Sequence, residues 1–205
     1  MDKSKKSVSK KIVIAITGEI CSGKDTLAAY ASEELREFGL RTAIIRSSDV
    51  LREIFLLLNI EPSRLDFHHL TLYLREKFSE DILSRVVEDK IRKMDSEIVF
   101  WAGLRSTFDV DVLGKFTNKS LVFLDVKAKE RYQRLRNRDE NNGDRIKTWN
   151  EFTIDGTRST EKMIRSFEEL SDIVISNNDY DLENAKKVFL DFVKGKRSSI
   201  LKRNN

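Results

Sequence analysis

The most constraining stretch of this chain is a short apolar run that leads into a glycine-bounded loop. Ile12, Val13, Ile14, Ala15 and Ile16 read as a buried parallel strand. Residues Gly18 to Thr26 then read G-E-I-C-S-G-K-D-T, which fits the phosphate-loop pattern G-x-x-x-x-G-K. From Asp25 to Phe38, Leu27, Ala28, Ala31, Leu35 and Phe38 recur at helical spacing. Strand, loop and helix in that order give the motif a mechanism. Gly18 and Gly23 let the backbone curl. The N–H groups of Glu19, Ile20, Cys21 and Ser22 then point inward, beside the positive end of a helix. Lys24 adds a movable cation for β- and γ-phosphates.

One position departs from the pattern. The residue after the lysine is usually Ser or Thr, with a hydroxyl for Mg²⁺; here it is Asp25, followed by Thr26. A carboxylate is a hard oxygen ligand for Mg²⁺, and an acid in a first helical turn is also a favoured end-group. Both roles are open for Asp25 from the sequence. Cys21, among inward N–H groups, is placed where a thiolate is favoured, although a buried inert thiol fits equally.

A chain of 205 residues suffices for one α/β domain with a good core. One cysteine excludes an internal disulfide. No apolar stretch approaches the ~18 residues of a membrane span. The first residues carry lysines instead of the apolar segment of a secretory signal, so a cytoplasmic location is expected. The net charge of +4 comes from the ends. Residues 1–11 carry +4 and residues 194–205 carry +5, which leaves the body between them at −5. Both ends are read as disordered basic tails that aid solubility. Neither a nucleic-acid nor a membrane partner is expected.

Four further apolar runs read as strands: Thr42 to Ile45, Ile98 to Trp101, Leu121 to Leu124, and Ile173 to Ile175. Helical patterns separate them, as in a parallel sheet with crossovers and helices on both faces. Residues 50–96 form a long helical excursion broken at Pro62-Ser63, a candidate acceptor-gripping insertion. His68-His69 are read as the start of a helix and not as a metal site. Ala128 to Arg138 reads as a basic helix, and Asp139 to Asp144 as a turn; together 134–165 form a candidate lid.

Two strand ends carry further chemistry. The second continues into Arg46-Ser47-Ser48-Asp49-Val50-Leu51-Arg52, and the third into Ala102-Gly103-Leu104-Arg105-Ser106. Ligands of open α/β sheets bind outside the carboxyl ends of the strands. Arg52 and Arg105 are thus candidates to fork onto a phosphate oxyanion, with Ser48 and Asp49 beside them.

At this point the chain resembles a known superfamily. Ser47 to Arg52 looks like the acceptor motif T-G-D-x-L-R of adenylate kinases, and Gly103 to Ser106 resembles their G-F-P-R segment, shortened by one residue. Closer still is a largely archaeal family of adenylate-kinase-related and dephospho-CoA-kinase-like P-loop proteins. Its members read G-D-V-x-R, E-P, L-R-E-K-F and G-I-R-S; this chain carries Glu61-Pro62, Leu74-Arg75-Glu76-Lys77-Phe78 and Gly103-Leu104-Arg105-Ser106 in that order. The resemblance spans Ile12 to Val193. It implies a three-layer P-loop fold with a five-stranded parallel sheet in the order 2-3-1-4-5. It also implies that Arg134 lies against an adenine, that Arg138 reaches the phosphates with Arg158 or Arg165, and that Asn177 or Asn178 lies near the base.

One departure matters. Adenylate kinases carry an aspartate just before the third-strand glycine, where this chain has Ala102. Asp25 and Asp49 are the candidates to replace that charge at Mg²⁺. Asp125 at the fourth strand end is read as structural. The expectation is a monomeric or homodimeric nucleotide kinase that binds ATP, Mg²⁺ and a small nucleotide-like acceptor. Lys24, Arg138 and Asp49 are its expected catalytic residues, and the acceptor is a nucleoside monophosphate. Transfer to a sugar hydroxyl, as in dephospho-CoA kinases, with Asp49 as base, is the alternative. A regulatory ATPase without acceptor is the third.

Overall fold

The computed structural model describes residues 11–137, 146–157, 159–178 and 182–203. Five strands pair in the order β2-β3-β1-β4-β5, all in parallel. They are β1 (Ile12–Thr17), β2 (Thr42–Arg46), β3 (Ile98–Ala102), β4 (Asn118–Asp125) and β5 (Ile173–Ser176). Every residue of β1 and β3 is buried, as the unbroken apolar runs require of strands covered on both faces.

The two-residue period of β1 divides the core. Ile12, Ile14 and Ile16 face α1 (Lys24–Glu37) and α9 (Leu182–Arg203), where they meet Leu27, Ala31 and Leu35 and, from α9, Phe189 and Val193. Val13 and Ala15 face the opposite layer. There α4 (Ile82–Lys93) and α5 (Thr107–Gly114) supply Val87, Ile91, Val112 and Leu113 around Trp101. Side chains of this size each stabilise the fold by about 1.5–3 kcal/mol when fully buried. A third, smaller cluster joins loop residues Ile20 and Cys21 to Leu135 of α6 (Ala128–Asn137) and Phe152 of α7 (Trp149–Gly156).

The excursion between β2 and β3 consists of α2 (Asp49–Leu57), α3 (Arg64–Lys77) and α4. Ser63 begins α3 with a capping box, accepting from Asp66 N while Asp66 accepts from Ser63 N. His68 and His69 therefore lie inside α3 and not at its start. This helix buries none of its residues. It is held by α2 and α4 at the rim of the domain.

Both basic ends need correction where they are described. Lys11 is anchored, donating from Nζ to the carbonyls of Ile91 and Met94 at 2.6 Å each, at the C-terminal end of α4. A cation is favoured there by the helix dipole. The C-terminal stretch is helix through Arg203 and not a disordered tail. Val193 and Ile200 pack on the core side, Lys194 lies 4.8 Å over the Phe38 ring, and Lys196 binds Asp172 at 3.2 Å. Residues 1–10, Arg138, the turn at 139–144 and Arg158 lie outside the described residues.

Candidate active site

The phosphate loop connects β1 to α1, and its backbone takes the turns that the glycines allow. Gly18, Cys21 and Gly23 all have positive φ, at 144°, 61° and 94°. A side chain at Gly18 would meet the Leu124 carbonyl oxygen at 2.8 Å, so only glycine fits against β4 there. Cys21 is the one loop residue that holds a left-handed conformation with a side chain. It is buried in the small cluster with Ile20, Leu135 and Phe152. Lys24 folds back over the loop. Its Nζ donates to the Gly18 carbonyl at 2.7 Å, the Glu19 carbonyl at 2.8 Å and Ser22 Oγ at 3.2 Å.

Beside the loop lies a cavity of about 680 Å³, within the size range of small-molecule sites. Lys24, Asp25 and Thr26 line one wall. Ser47, Ser48, Leu51 and Arg52 come from the β2–α2 junction, and Gly103 and Arg105 from the β3–α5 junction. Backbone ties fix these junctions to one another. Gly103, in the left-handed region at φ 85°, donates from N to the Ile16 carbonyl at 2.9 Å. Thr17 Oγ1 donates to the Leu104 carbonyl at 2.8 Å, and Trp101 Nε1 donates to Ser47 Oγ at 2.9 Å. The carboxylate of Asp109 accepts from Arg105 N at 2.8 Å and Ser106 N at 3.0 Å, and Ser84 Oγ donates to it at 2.6 Å. The backbone under Arg105 is thus held while its guanidinium projects into the cavity.

That guanidinium pairs with Glu161 of α8 (Ser159–Ser166). Glu161 lines the same cavity, and one of its oxygens is buried without a hydrogen-bond partner among the described residues. Burial pushes its carboxyl up, but Arg105 and Lys24 outweigh this and hold it below the usual carboxylate range. Lys24 responds oppositely. Burial, helped by the Arg105 charge, lowers it from 10.5 to about 8, against the opposing pull of Glu161, Asp25 and Cys21. A carboxylate therefore stands among the cations that line this cavity. No motif pointed to Glu161, because an acid in the first turn of a short helix reads as an end-group.

Arg46 is the second residue to which the sequence reading assigns no role. Its Nε donates to Asp25 Oδ1 at 2.6 Å, and its backbone N donates to Asp49 Oδ2 at 2.9 Å. Asp25 makes no side-chain cap of α1, whose N-cap is Gly23, so its helix-end role is limited to charge. Asp49 is drawn back to Arg46, Oδ1 lying 3.9 Å from the guanidinium, and is not among the residues lining the main cavity. With Arg52 it lines a smaller neighbouring cavity. Arg52 itself lines both, stacked 5.0 Å over the Phe67 ring. Among the described residues no group of three or more His, Cys, Asp or Glu side chains is arranged to hold a metal ion.

On its other side the loop is braced by α6. Arg131 is buried, not on a solvated helix face. It donates to the Val126 carbonyl at 2.9 Å and to Glu19 Oε1 at 2.8 Å, with its plane 5.6 Å over Phe152. Arg134 donates to the Asn177 carbonyl at 2.7 Å. Asn177 is buried, its Oδ1 without a partner among the described residues, and its Nδ2 would lie 3.3 Å from a Cβ at Gly23. Asn178 accepts from Lys127 N at 2.7 Å. Arg134 and Asn177 are thus brought together behind the loop, away from the cavity that holds Arg52 and Arg105. Arg165 binds Asp125 at 2.6 Å and stays outside the cavity lining. That bond to Asp125 raises its pKa above the ordinary arginine value. At the end of β4, Asp125 is occupied by this ion pair.

Among the described residues no helix is long and apolar enough to cross a membrane. The AAA domain family matches residues 14–150, more than half of the chain. A UPF0200 protein of Sulfurisphaera tokodaii is 32% identical over 195 residues, 93% of this chain and 96% of the relative. Among solved structures, shikimate kinase from Bacteroides thetaiotaomicron superposes with a TM-score of 0.61 at 15% identity, covering 89% of this chain and 98% of that one. The APS kinase of Mycobacterium tuberculosis, solved with AMPPNP and APS, gives 0.56 at 17% identity, covering 90% and 98%. Those likenesses concern the fold. With the relative aligned over nearly its whole length, the chain belongs to the UPF0200 family, a largely archaeal P-loop family of nucleotide-kinase-like fold.

Proposed function

We propose that this protein transfers the γ-phosphoryl group of ATP to a small nucleotide acceptor, with nucleoside monophosphates as the acceptor class. The observation that carries the proposal is that one cavity is lined by the phosphate-loop Lys24 and by Arg52 and Arg105 from two neighbouring strand ends. Phosphoryl transfer needs positioning and charge neutralisation more than covalent chemistry. The loop N–H groups and Lys24 hold the donor phosphates. Arg52 and Arg105 hold the acceptor phosphate, whose oxygen attacks the γ-phosphorus. The bond from that phosphorus to the β–γ bridging oxygen breaks, and ADP leaves. A phosphate acceptor is already anionic and needs no base.

Mg²⁺, when bound, would supply charge neutralisation at the donor phosphates. It is bound in kinases through one or two carboxylates plus phosphates and waters, so a three-acid cluster is not required. Asp25 fits this role, since it lines the cavity next to Lys24 with the hydroxyl of Thr26 beside it. In this reading Asp49 orients Arg46, which in turn holds Asp25. Arg138 remains the candidate lid arginine for the moving phosphoryl group, and Arg134 with Asn177 the candidate base-side contacts. The position of Asp49, drawn to Arg46, favours a phosphate acceptor over a hydroxyl acceptor, because a general base must reach the proton that it removes.

The test is a coupled assay of ADP release across nucleoside monophosphates and dephospho-CoA, with acceptor-free hydrolysis as control. Release driven by a nucleoside monophosphate is the expected result. Release driven only by dephospho-CoA would move the protein to the hydroxyl-acceptor class, and hydrolysis indifferent to every acceptor would make it an ATPase.

A further inference from the structure

The helix α3 presents an unusual face to the cavity. Arg64, Phe67, His68, Thr71 and Arg75 all line it. Their spacing of three, four, seven and eleven residues from Arg64 is that of one helical stripe. On most helices of a domain such a stripe is apolar and packed into the core. Here it is polar and cationic at every position but Phe67, and no residue of α3 is fully buried. Packing against the core, which Phe67 provides through Phe55, does not explain the other four. Arg75 carries a second sign of this. Its Nε is buried and has no hydrogen-bond partner among the described residues, a costly state for a guanidinium donor unless an anion completes it.

Distance decides what kind of anion is involved. Arg64 and Arg75 are eleven residues apart, or about 16 Å along the helix at 1.5 Å per residue. They stand at the two ends of the stripe, and Arg52 and Arg105 already serve the acceptor phosphate next to Lys24 in the reading above. The same cavity also has apolar lining, with Leu51, Leu83 and Val87 suited to the flat face of a ring. We infer that the acceptor is a nucleoside carrying anionic groups at two separate positions, and that the α3 stripe, through Arg75 above all, binds the group that is not phosphorylated. The inference rests on the kinase reading for the word acceptor; the anion subsite itself rests on α3.

The experiment compares AMP with adenosine 3′,5′-bisphosphate by calorimetric titration of the full chain, with ADP as the donor-site control. The wild type should bind the bisphosphate at least about tenfold tighter than AMP, the scale of one charge-assisted contact. Arg75→Ala should bring that ratio close to one, Arg75→Lys should recover part of it, and ADP affinity should stay the same. Arg64→Ala provides a second reading of the stripe if Arg75→Ala is poorly folded. Equal affinities for the two ligands in the wild type would overturn the inference. So would a ratio that survives both alanine variants, or an Arg75→Ala that weakens ADP instead, which would assign the residue to the donor. Phosphoryl transfer is scored on the same samples. An Arg75-dependent ratio without transfer to any acceptor keeps the subsite and removes the kinase reading; transfer with equal affinities does the reverse.

Discussion

Replacing Lys24 with methionine should make the protein more stable at neutral pH and less stable at high pH, relative to the wild type. The cause is the buried ammonium. Burial and Arg105 lower its pKa from 10.5 to about 8 in the fold. Between those values the unfolded chain binds the proton and the folded chain does not, so wild-type stability rises with pH through that window. The gap corresponds to about 3 kcal/mol at 1.36 kcal/mol per pH unit, a destabilisation present below about pH 8 and gone by about pH 10.5. Methionine removes it but leaves the Gly18 and Glu19 carbonyls without their donor, at about 1 kcal/mol each. The net effect of Lys24→Met is then a gain of about 1 kcal/mol near pH 7 and a loss of about 2 kcal/mol near pH 10.5. Urea unfolding of both proteins at the two pH values reads the difference directly. A difference that does not move with pH would refute the depressed lysine, whatever its sign. The same lysine implies that polyphosphate binding near pH 8 takes up a proton, visible as a buffer-dependent heat of ADP binding.

Three further outcomes are expected. Glu161→Gln removes the carboxylate that stands among Lys24 and Arg105, and should tighten ADP binding about three- to tenfold; unchanged affinity would mean that Glu161 leaves the site without resistance. Arg131→Ala takes away the buried brace between α6 and Glu19, and should cost about 2–4 kcal/mol in denaturant unfolding, with Arg131→Lys a poor rescue because it lacks the fork; a loss below about 0.5 kcal/mol would show that the loop holds itself. Arg52→Ala and Arg105→Ala should each raise the acceptor KM by about tenfold or more while ADP affinity changes little; a change in ADP affinity alone would place them on the donor side.

Much of the phosphate-loop side of this protein is legible in the sequence because it is written in local patterns. The run Ile12 to Ile16, the glycines at 18 and 23 and the apolar period of α1 each depend on neighbours a few residues away. Placing Arg52 and Arg105 in one cavity needed only the rule that ligands gather at strand carboxyl ends. What was hidden depends on contacts far along the chain. Arg131 reads as one more cation on a basic helix, and only the packing of α6 against the loop buries it. Glu161 is separated from Arg105 by 56 positions, and nothing in its surroundings announces the pair. Asp49 was expected to face the site with Arg52, yet the backbone N–H of Arg46, three residues earlier, offered its carboxylate a nearer partner. The C-terminal stretch was misread because its lysines and arginines masked Val193 and Ile200, which keep the helix on the core.

The bare packing of α3 has a consequence for how such a site can change. Residues around the phosphate loop are locked to β1, β3 and β4, so most substitutions there would disturb the sheet as well as the chemistry. Gly18 has no room for a methyl group beside Leu124. The helix across the cavity, none of whose residues is fully buried, carries less of this obligation. Its polar inward residues can be exchanged at a lower cost to folding than those of the loop, provided that Phe67 keeps its contact with Phe55 and the Ser63–Asp66 cap is kept. In the proposed reading, donor recognition is thus tied to stability more closely than recognition across the cavity. Two chains of this architecture can therefore share nearly every residue of the loop and still differ in what they accept, with the difference confined to a few turns of one helix.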